Sequence, residues 1–283
     1  MKLTFSFVSH PLTTTLKMKV RKFIMKIICV ANQKGGVGKT TTVMNMAAGL
    51  VKKGKSVLCI DFDPQGNLSD YLGHEPDGYA DISDIMLSAA RYEQYSFDGV
   101  IRQNAEGIYY IPSSIALASA DMFLAQTMCR EQVLKGILQD SIFTQYEYIF
   151  IDCQPSLGIL LTNALAVSNE VIIPVQAQKF SLDGVNYLMQ AIRMVQSALN
   201  PQLKIGGILL TMYDGTNMAK AVRQALQENY GDLLFDAQIC RRVEATESTY
   251  AQQSLISQAH SKLGKEYLQA VNELLQREEE NNG

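Results

Sequence analysis

Between the apolar run Ile27-Ile28-Cys29-Val30-Ala31 and a segment of helical apolar spacing lies Asn32-Gln33-Lys34-Gly35-Gly36-Val37-Gly38-Lys39-Thr40-Thr41-Thr42. Few stretches constrain a fold as tightly. The apolar run reads as a strand buried on both faces, and Val43, Met46, Ala47 and Leu50 then fall on one side of a helix. Strand, glycine-rich loop, helix is the context in which such a loop wraps a phosphate. Gly35, Gly36 and Gly38 permit the tight curl that points successive N–H groups at one anion. The helix start adds unpaired amides and the positive end of its dipole. Lys39 supplies a point charge for the β- and γ-phosphates of ATP, with Val37 and Thr41 counted among the binding positions. The Thr40 hydroxyl suits Mg²⁺, a hard cation that prefers oxygen. A turn that merely joins strand to helix would not need Gly-Lys-Thr at the helix start.

The chain has 283 residues, 47% hydrophobic and 19% charged, the make-up of a soluble globular protein with a sizeable core. That length fits one large α/β unit, expected as a single P-loop ATPase domain over 25–283. No apolar run reaches the length a membrane helix needs. The net charge of −3 means that any contact with DNA comes from a local, salt-sensitive patch. Cys29, Cys59, Cys129, Cys153 and Cys240 stand singly, which points to a reducing cytoplasm and away from zinc or a disulfide framework. Residues 1–24 fit no part of the pattern. They are expected to be a disordered tail, either left by a start codon upstream of Met18 or Met25 or serving as a basic arm through Lys17-Met18-Lys19-Val20-Arg21-Lys22.

From Met25 onward strands and helices alternate. Residues 57–61, 108–112, 148–152, 171–175, 205–211 and 235–240 read as strands. Helices are expected around 82–87 and over 118–138, 182–199, 218–230 and 259–277, the last running into the acidic tail Glu278-Glu279-Glu280. The alternation predicts an α/β fold: a doubly wound, mostly parallel sheet flanked by helices. Ligands in such sheets sit at the carboxyl ends of the strands.

Three aspartates fall at those ends. Asp152 closes an apolar strand, where it can hold Mg²⁺ through water, and Asp61 and Asp63 close another in Asp61-Phe62-Asp63-Pro64-Gln65-Gly66-Asn67. A lone strand-ending aspartate often only caps the next turn. Three beside one phosphate loop match what phosphoryl transfer requires, which is a metal carboxylate and a group that places the attacking water.

Lys34-Gly35-Gly36-Val37-Gly38-Lys39-Thr40-Thr41 resembles the deviant Walker A motif of the ParA/MinD ATPase superfamily. The resemblance implies that Lys34 reaches across a nucleotide-sandwich homodimer to the partner's ATP. Residues 61–67 resemble the family's switch I, which implies that Asp63 orients the water and Asp61 lies nearer the metal's outer shell. Asp152-Cys153-Gln154-Pro155-Ser156 is similar to its switch II, with Gln154 where a proline is usual. The likeness is nearest to the ParA/Soj partition subgroup, through Pro112-Ser113-Ser114-Ile115, Ile173-Pro174-Val175-Gln176 and Leu210-Thr211-Met212-Tyr213-Asp214-Gly215. It implies ATP-dependent dimerisation, non-specific DNA binding on the nucleoid in the cytoplasm, and resetting by a ParB-type partner.

Beyond the last strand the chain departs from the family. Cys240 and Arg242 occupy the places of the proline and asparagine that line the adenine site, and an arginine can stack on a purine. Arg193 matches a DNA-contacting arginine of the Soj subgroup, and Lys204, Lys220 and Arg223 lie near it in sequence. A MinD-type membrane ATPase is the alternative, but it needs a basic amphipathic C-terminal helix, and Glu278-Glu279-Glu280 opposes that. An iron–sulfur reductase on the same fold needs bridging cysteines in suitable surroundings. A non-enzymatic adaptor does not account for the complete set of catalytic residue types.

Overall fold

β1 (Lys26–Val30), β2 (Val57–Phe62) and β5 (Tyr148–Cys153) are buried almost end to end. Their apolar runs are continuous because both faces of a parallel sheet are covered. In the computed structural model, which describes residues 25–178 and 181–282, these strands form the middle of one sheet. Its order is β3-β4-β2-β5-β1-β6-β7-β8, where β3 is Arg102–Gln103, β4 Tyr109–Ile111, β6 Glu170–Gln176, β7 Lys204–Tyr213 and β8 Leu234–Cys240. All neighbours are parallel except β3 with β4. The expected fold class is therefore the one observed. The proposed tail over 1–24 lies outside the described residues.

Side-chain alternation divides the core into two layers. Cys29, Leu58, Ile60, Ile149 and Ile151 face one layer, closed by α3 (Ile82–Ala90), α5 (Val133–Ile137), α6 (Ile159–Val167) and α7 (Ser181–Ala198). Ile28, Val30, Cys59 and Phe150 face the other, under α1 (Lys39–Lys52), α2 (Asn67–Tyr71) and α10 (Lys262–Asn282). From β1 the chain moves outward to β2 on one side, and later to β6, β7 and β8 on the other. Such a reversal opens a crevice at the carboxyl ends of the central strands. The glycine-rich loop begins there.

Two expectations about helices need correction. Residues 118–138 are not one helix but short pieces: a 3-10 turn over Ile115–Ser119, then α4 (Ala120–Leu124), a second turn over Arg130–Gln132, and α5. Cys129 breaks the run with a left-handed φ of 53°, a conformation no helix continues through. The last helix does not end at 277: Glu278-Glu279-Glu280, expected as an acidic tail beyond it, is part of α10. Glu278 is anchored there, taking Lys26 Nζ at 2.8 Å and the Tyr148 hydroxyl at 2.6 Å. Two short helices were not foreseen: α2, and α9 (Glu244–Tyr250) after β8. α8 (Asn217–Tyr230) matches its expected span within one residue.

Candidate active site

The loop between β1 and α1 is held at both ends before any ligand is considered. Asn32 accepts the Lys34 N–H at 3.0 Å on Oδ1 and donates through Nδ2 to the Pro174 carbonyl at 2.7 Å. Thr211, at the end of β7, donates its hydroxyl to the Val37 carbonyl at 2.8 Å. Gly36 and Gly38 have φ of +70° and +85°, in the region where only glycine is unstrained. Gly38 is also the N-cap of α1, and its carbonyl accepts the Thr42 N–H at 2.9 Å. Gly35 sits across from Pro155, so the phosphate loop meets the segment that follows β5. Thr41 lies in the first turn of α1, its carbonyl accepting from Asn45 Nδ2 at 2.8 Å.

Lys39 is 7% exposed, and its ammonium donates to the Lys34 carbonyl at 3.3 Å. Burial pulls its pKa down, opposed by the charges of Asp152, Cys153 and Asp63. Thr40 Oγ1 donates to Asp152 Oδ2 at 2.7 Å. Asp152 is 1% exposed, and its Oδ1 has no hydrogen-bond partner among the described residues. Burial, then the nearby Asp61, pushes the Asp152 carboxyl well above the usual carboxylate range. A buried carboxylate oxygen without a donor costs free energy unless a cation or ligand satisfies it. Together with the Thr40 hydroxyl it makes a hard oxygen donor pair. Among the described residues no group of three or more His, Cys, Asp or Glu could hold a metal ion by itself. A hydroxyl and a carboxylate oxygen suit Mg²⁺, which takes one or two protein ligands and fills the rest of its shell with phosphate and water.

Asp61 is placed differently from what its position in the sequence suggests. It pairs in register with Asp152 across β2 and β5, but both its oxygens serve the protein. Oδ1 accepts the Asp63 N–H at 3.2 Å, and Oδ2 accepts the Ser69 N–H at 2.8 Å and the Ser69 hydroxyl at 2.7 Å. Asp63, 9% exposed, accepts the Gln65 N–H at 3.0 Å. It lines a cleft of about 350 Å³ between the two post-strand segments, with Gln65, Asp121 and Gln154. The clamp by Ser69 and the brace by Thr211 carried no sequence signal, since the first depends on how the turn after β2 folds back and the second joins residues 174 positions apart.

Lys34 is half-buried, its ammonium resting on Gln178 Oε1 at 3.1 Å and Gln176 Oε1 at 3.3 Å. Past β8, Glu266 of α10 accepts the Cys240 N–H at 2.7 Å, and its other oxygen lies 3.6 Å from the Arg242 guanidinium. Arg242 is thus drawn toward α10, a partner the sequence did not suggest. The four basic candidates do not form one cluster. Arg193 is exposed on α7 close enough to Tyr230 to influence its ionisation, and Lys204 is exposed at the start of β7. Lys220 and Arg223 lie in the first turns of α8, and residues 220 and 230 are about 15 Å apart along its axis. Arg223 is also engaged, donating to Gln238 Oε1 at 2.8 Å.

The family described as "AAA domain" matches residues 25–205. The chain is 39% identical over 251 residues to the chromosome-partitioning ATPase Soj of Treponema pallidum, covering 85% of this chain and 96% of that one. It is 41% identical over 224 residues to the sporulation initiation inhibitor protein Soj of Bacillus subtilis, covering 79% and 87%. It belongs to the ParA/Soj/MinD family of deviant Walker A ATPases. The crystal structure of a Mycobacterium smegmatis protein described as cobyrinic acid a,c-diamide synthase, with bound ATP analog and magnesium, superposes with a TM-score of 0.78 at 32% identity. That match covers 90% of this chain and 96% of the other. As a ParA/Soj/MinD protein the chain is a P-loop ATPase. Among the described residues no helix is long and apolar enough to cross a membrane.

Proposed function

We propose that this chain is a DNA-partition ATPase, with residues 25–283 acting as one P-loop ATPase domain. ATP closes two copies over a pair of nucleotides, the closed dimer holds DNA without regard to sequence, and a ParB-type partner resets it by promoting hydrolysis. The observation that carries the catalytic part is the orphaned Asp152 Oδ1 beside Thr40 Oγ1, under the ammonium of Lys39. The partition part is supported by near full-length similarity to proteins described by that role. Location in the cytoplasm, on the nucleoid, follows from that reading.

In the proposed reaction water adds to the γ-phosphorus and the bond to the β,γ-bridging oxygen breaks, giving ADP and phosphate. Mg²⁺, held through Asp152 and Thr40, supplies charge neutralisation when bound. The amides of Gly35, Gly36, Val37, Gly38, Lys39 and Thr40 orient the phosphates, and Lys39 stabilises the charge that gathers on them. Lys34 leaves its glutamine carbonyls and serves the partner's nucleotide. Asp63 orients the attacking water from the cleft beside the loop. With its oxygens bound to Asp63 and Ser69, Asp61 is read as a brace for switch I rather than as part of the metal's outer shell. Cys240 and Arg242 border the base, with Glu266 restraining the arginine.

The same fold hosts different chemistries, so the assay must separate them. ATP turnover is measured with and without unrelated duplex DNA, and separately with vesicles of anionic lipid. Stimulation by DNA at low salt, lost at high salt, is expected. Stimulation by vesicles and not by DNA would favour a MinD-type role instead, although the anchoring of Glu278 by Lys26 and Tyr148 leaves the acidic end of α10 docked on the protein.

A further inference from the structure

We propose that Ser69 is a positioning residue for hydrolysis, acting through Asp61 to hold Asp63 in place; the inference rests on the reading of Asp63 as the water-orienting group. Asp63 belongs to a turn that leaves β2 and enters α2. The turn has little stability of its own. α2 is five residues long, its N-cap is Gly66 at φ +66°, and no side chain caps it. Helices that short do not sustain themselves in isolation.

What fixes the turn is a chain of buried hydrogen bonds centred on one hydroxyl. Ser69 is 4% exposed and Asp61 1%. Ser69 Oγ donates to Asp61 Oδ2 at 2.7 Å and accepts the N–H of Ser113 at 3.0 Å. Its own N–H donates to the same Asp61 oxygen at 2.8 Å. Asp61 Oδ1 then accepts the Asp63 N–H at 3.2 Å, and the Asp63 carbonyl accepts the Gly66 N–H at 3.0 Å. The end of β2, the first turns of α2 and the exit of β4 therefore meet at the Ser69 hydroxyl, and the Asp63 backbone is tied on both sides.

Without the hydroxyl, Asp61 loses one of its three donors and the Ser113 N–H loses its acceptor, both in buried positions. The turn then has freedom to shift. Asp63 would move while the phosphate loop, braced separately by Asn32 and Thr211, stays as it is. Misplacement of a catalytic group by about 1 Å can cost on the order of a hundredfold in rate, whereas binding of the triphosphate depends on the other side of the crevice.

The test is a double-mutant cycle on the full chain, reading phosphate release with Mg²⁺ and ATP. Ser69→Ala is expected to lower kcat about tenfold to a hundredfold, with affinity for a fluorescent ATP analogue within about twofold, and Ser69→Thr to recover most of the loss. In an Asp63→Ala background, followed by single turnover of radiolabelled ATP, Ser69→Ala should change the rate by less than about twofold, because coupled residues do not add. Equal losses in both backgrounds would mean that Ser69 only supports the fold, and an unchanged kcat for Ser69→Ala overturns the clamp outright. If Asp63→Ala itself turns over normally, the role of Asp63 falls and the clamp with it; if only Ser69→Ala is normal, the role of Asp63 stands. Should Ser69→Ala not fold, Ser69→Cys, which keeps the shape but bonds weakly, enters the same cycle.

Discussion

Asp61 and Asp152 lie side by side in register across β2 and β5, both about 1% exposed, yet one accepts three hydrogen bonds from protein donors and the other has an oxygen with no partner among the described residues. Burial pushes Asp61 up to about 6 against the lowering effect of its Ser69 bonds, and burial together with Asp61 pushes Asp152 further in the same direction. Two carboxylates at this spacing cannot both ionise without cost. The asymmetry tells them apart: Asp61 braces the turn, and Asp152 Oδ1 is the oxygen that the proposed function assigns to the metal.

The sign of the pH dependence follows. A carboxyl whose folded value lies above its unfolded value holds its proton more tightly in the native chain. Its effect on stability is therefore lost as pH rises from about 4 through the folded value. For Asp61 the loss at neutral pH is on the order of 3 kcal/mol. Without nucleotide, the chain should melt at lower temperature at pH 8 than at pH 5 as far as these two groups decide. Asp152→Asn should flatten that difference and raise the Tm at pH 8 by a few degrees while abolishing turnover. Thermal denaturation across pH reads the first, and phosphate release the second; a Tm that falls at pH 8 would show that Asp152 is not under electrostatic strain.

Gly264 offers a packing prediction away from the chemistry. A Cβ there would lie 2.2 Å from the Leu255 carbonyl oxygen and 2.8 Å from its carbon. Backbone cannot swing aside as a side chain does, and the Leu255 N–H is held by Asn45 Oδ1 at 2.8 Å. Gly264→Ala should lift α10 from the loop before it and destabilise the chain by about 1–3 kcal/mol. Turnover per folded molecule should stay the same. Urea denaturation monitored by circular dichroism checks it.

Arg193→Glu should weaken binding to unrelated duplexes alike and reduce the slope of log affinity against log salt by about one. Lys204→Ala should act in the same sense and less strongly. Lys220→Ala tests a separate region, since it lies at the opposite end of α8 from Tyr230 and Arg193. Fluorescence anisotropy over a salt series distinguishes them. An unchanged slope for Arg193→Glu would move the contact surface elsewhere.

The sheet was legible because parallel strands buried on both faces are continuous apolar runs, and β1, β2, β5 and β6 are such runs. The phosphate loop was legible because its chemistry is local: glycines, a lysine and a threonine at fixed spacing. What could not be read was everything that depends on one element meeting another. The position of Asp61 at a strand end beside Asp63 gives no hint of the three hydrogen bonds that its carboxylate accepts from Ser69 and Asp63. The restraint on Arg242 by Glu266, 24 positions later, is likewise not readable from the local sequence. The segment around Cys129 had helical spacing but not helical backbone, since apolar period records which side faces inward and not whether the chain turns regularly in between.

Lys34 carries the strongest claim about assembly. Its ammonium lies on the side chains of Gln176 and Gln178 at the end of β6, contacts of 3.3 and 3.1 Å with neutral acceptors. The glutamine carbonyls carry no net charge, whereas a phosphate oxygen adds the Coulomb attraction of an opposite charge to the same hydrogen bond, so a partner's triphosphate should outcompete the glutamines. Lys34→Ala removes that contact and leaves Lys39, Thr40 and the loop amides in place. Affinity for ATP should change by no more than about threefold, while the ATP-dependent dimer should weaken at least about tenfold, equivalent to about 1.4 kcal/mol. Light scattering after size exclusion, run with Mg²⁺ and a slowly hydrolysed ATP analogue, reads the dimer directly. Gln178→Ala supplies the opposite sign, since freeing the ammonium should shift dimerisation to lower protein concentration. If Lys34→Ala dimerises as the unaltered chain does, the lysine stays on its own subunit and the closed dimer must be held by other groups.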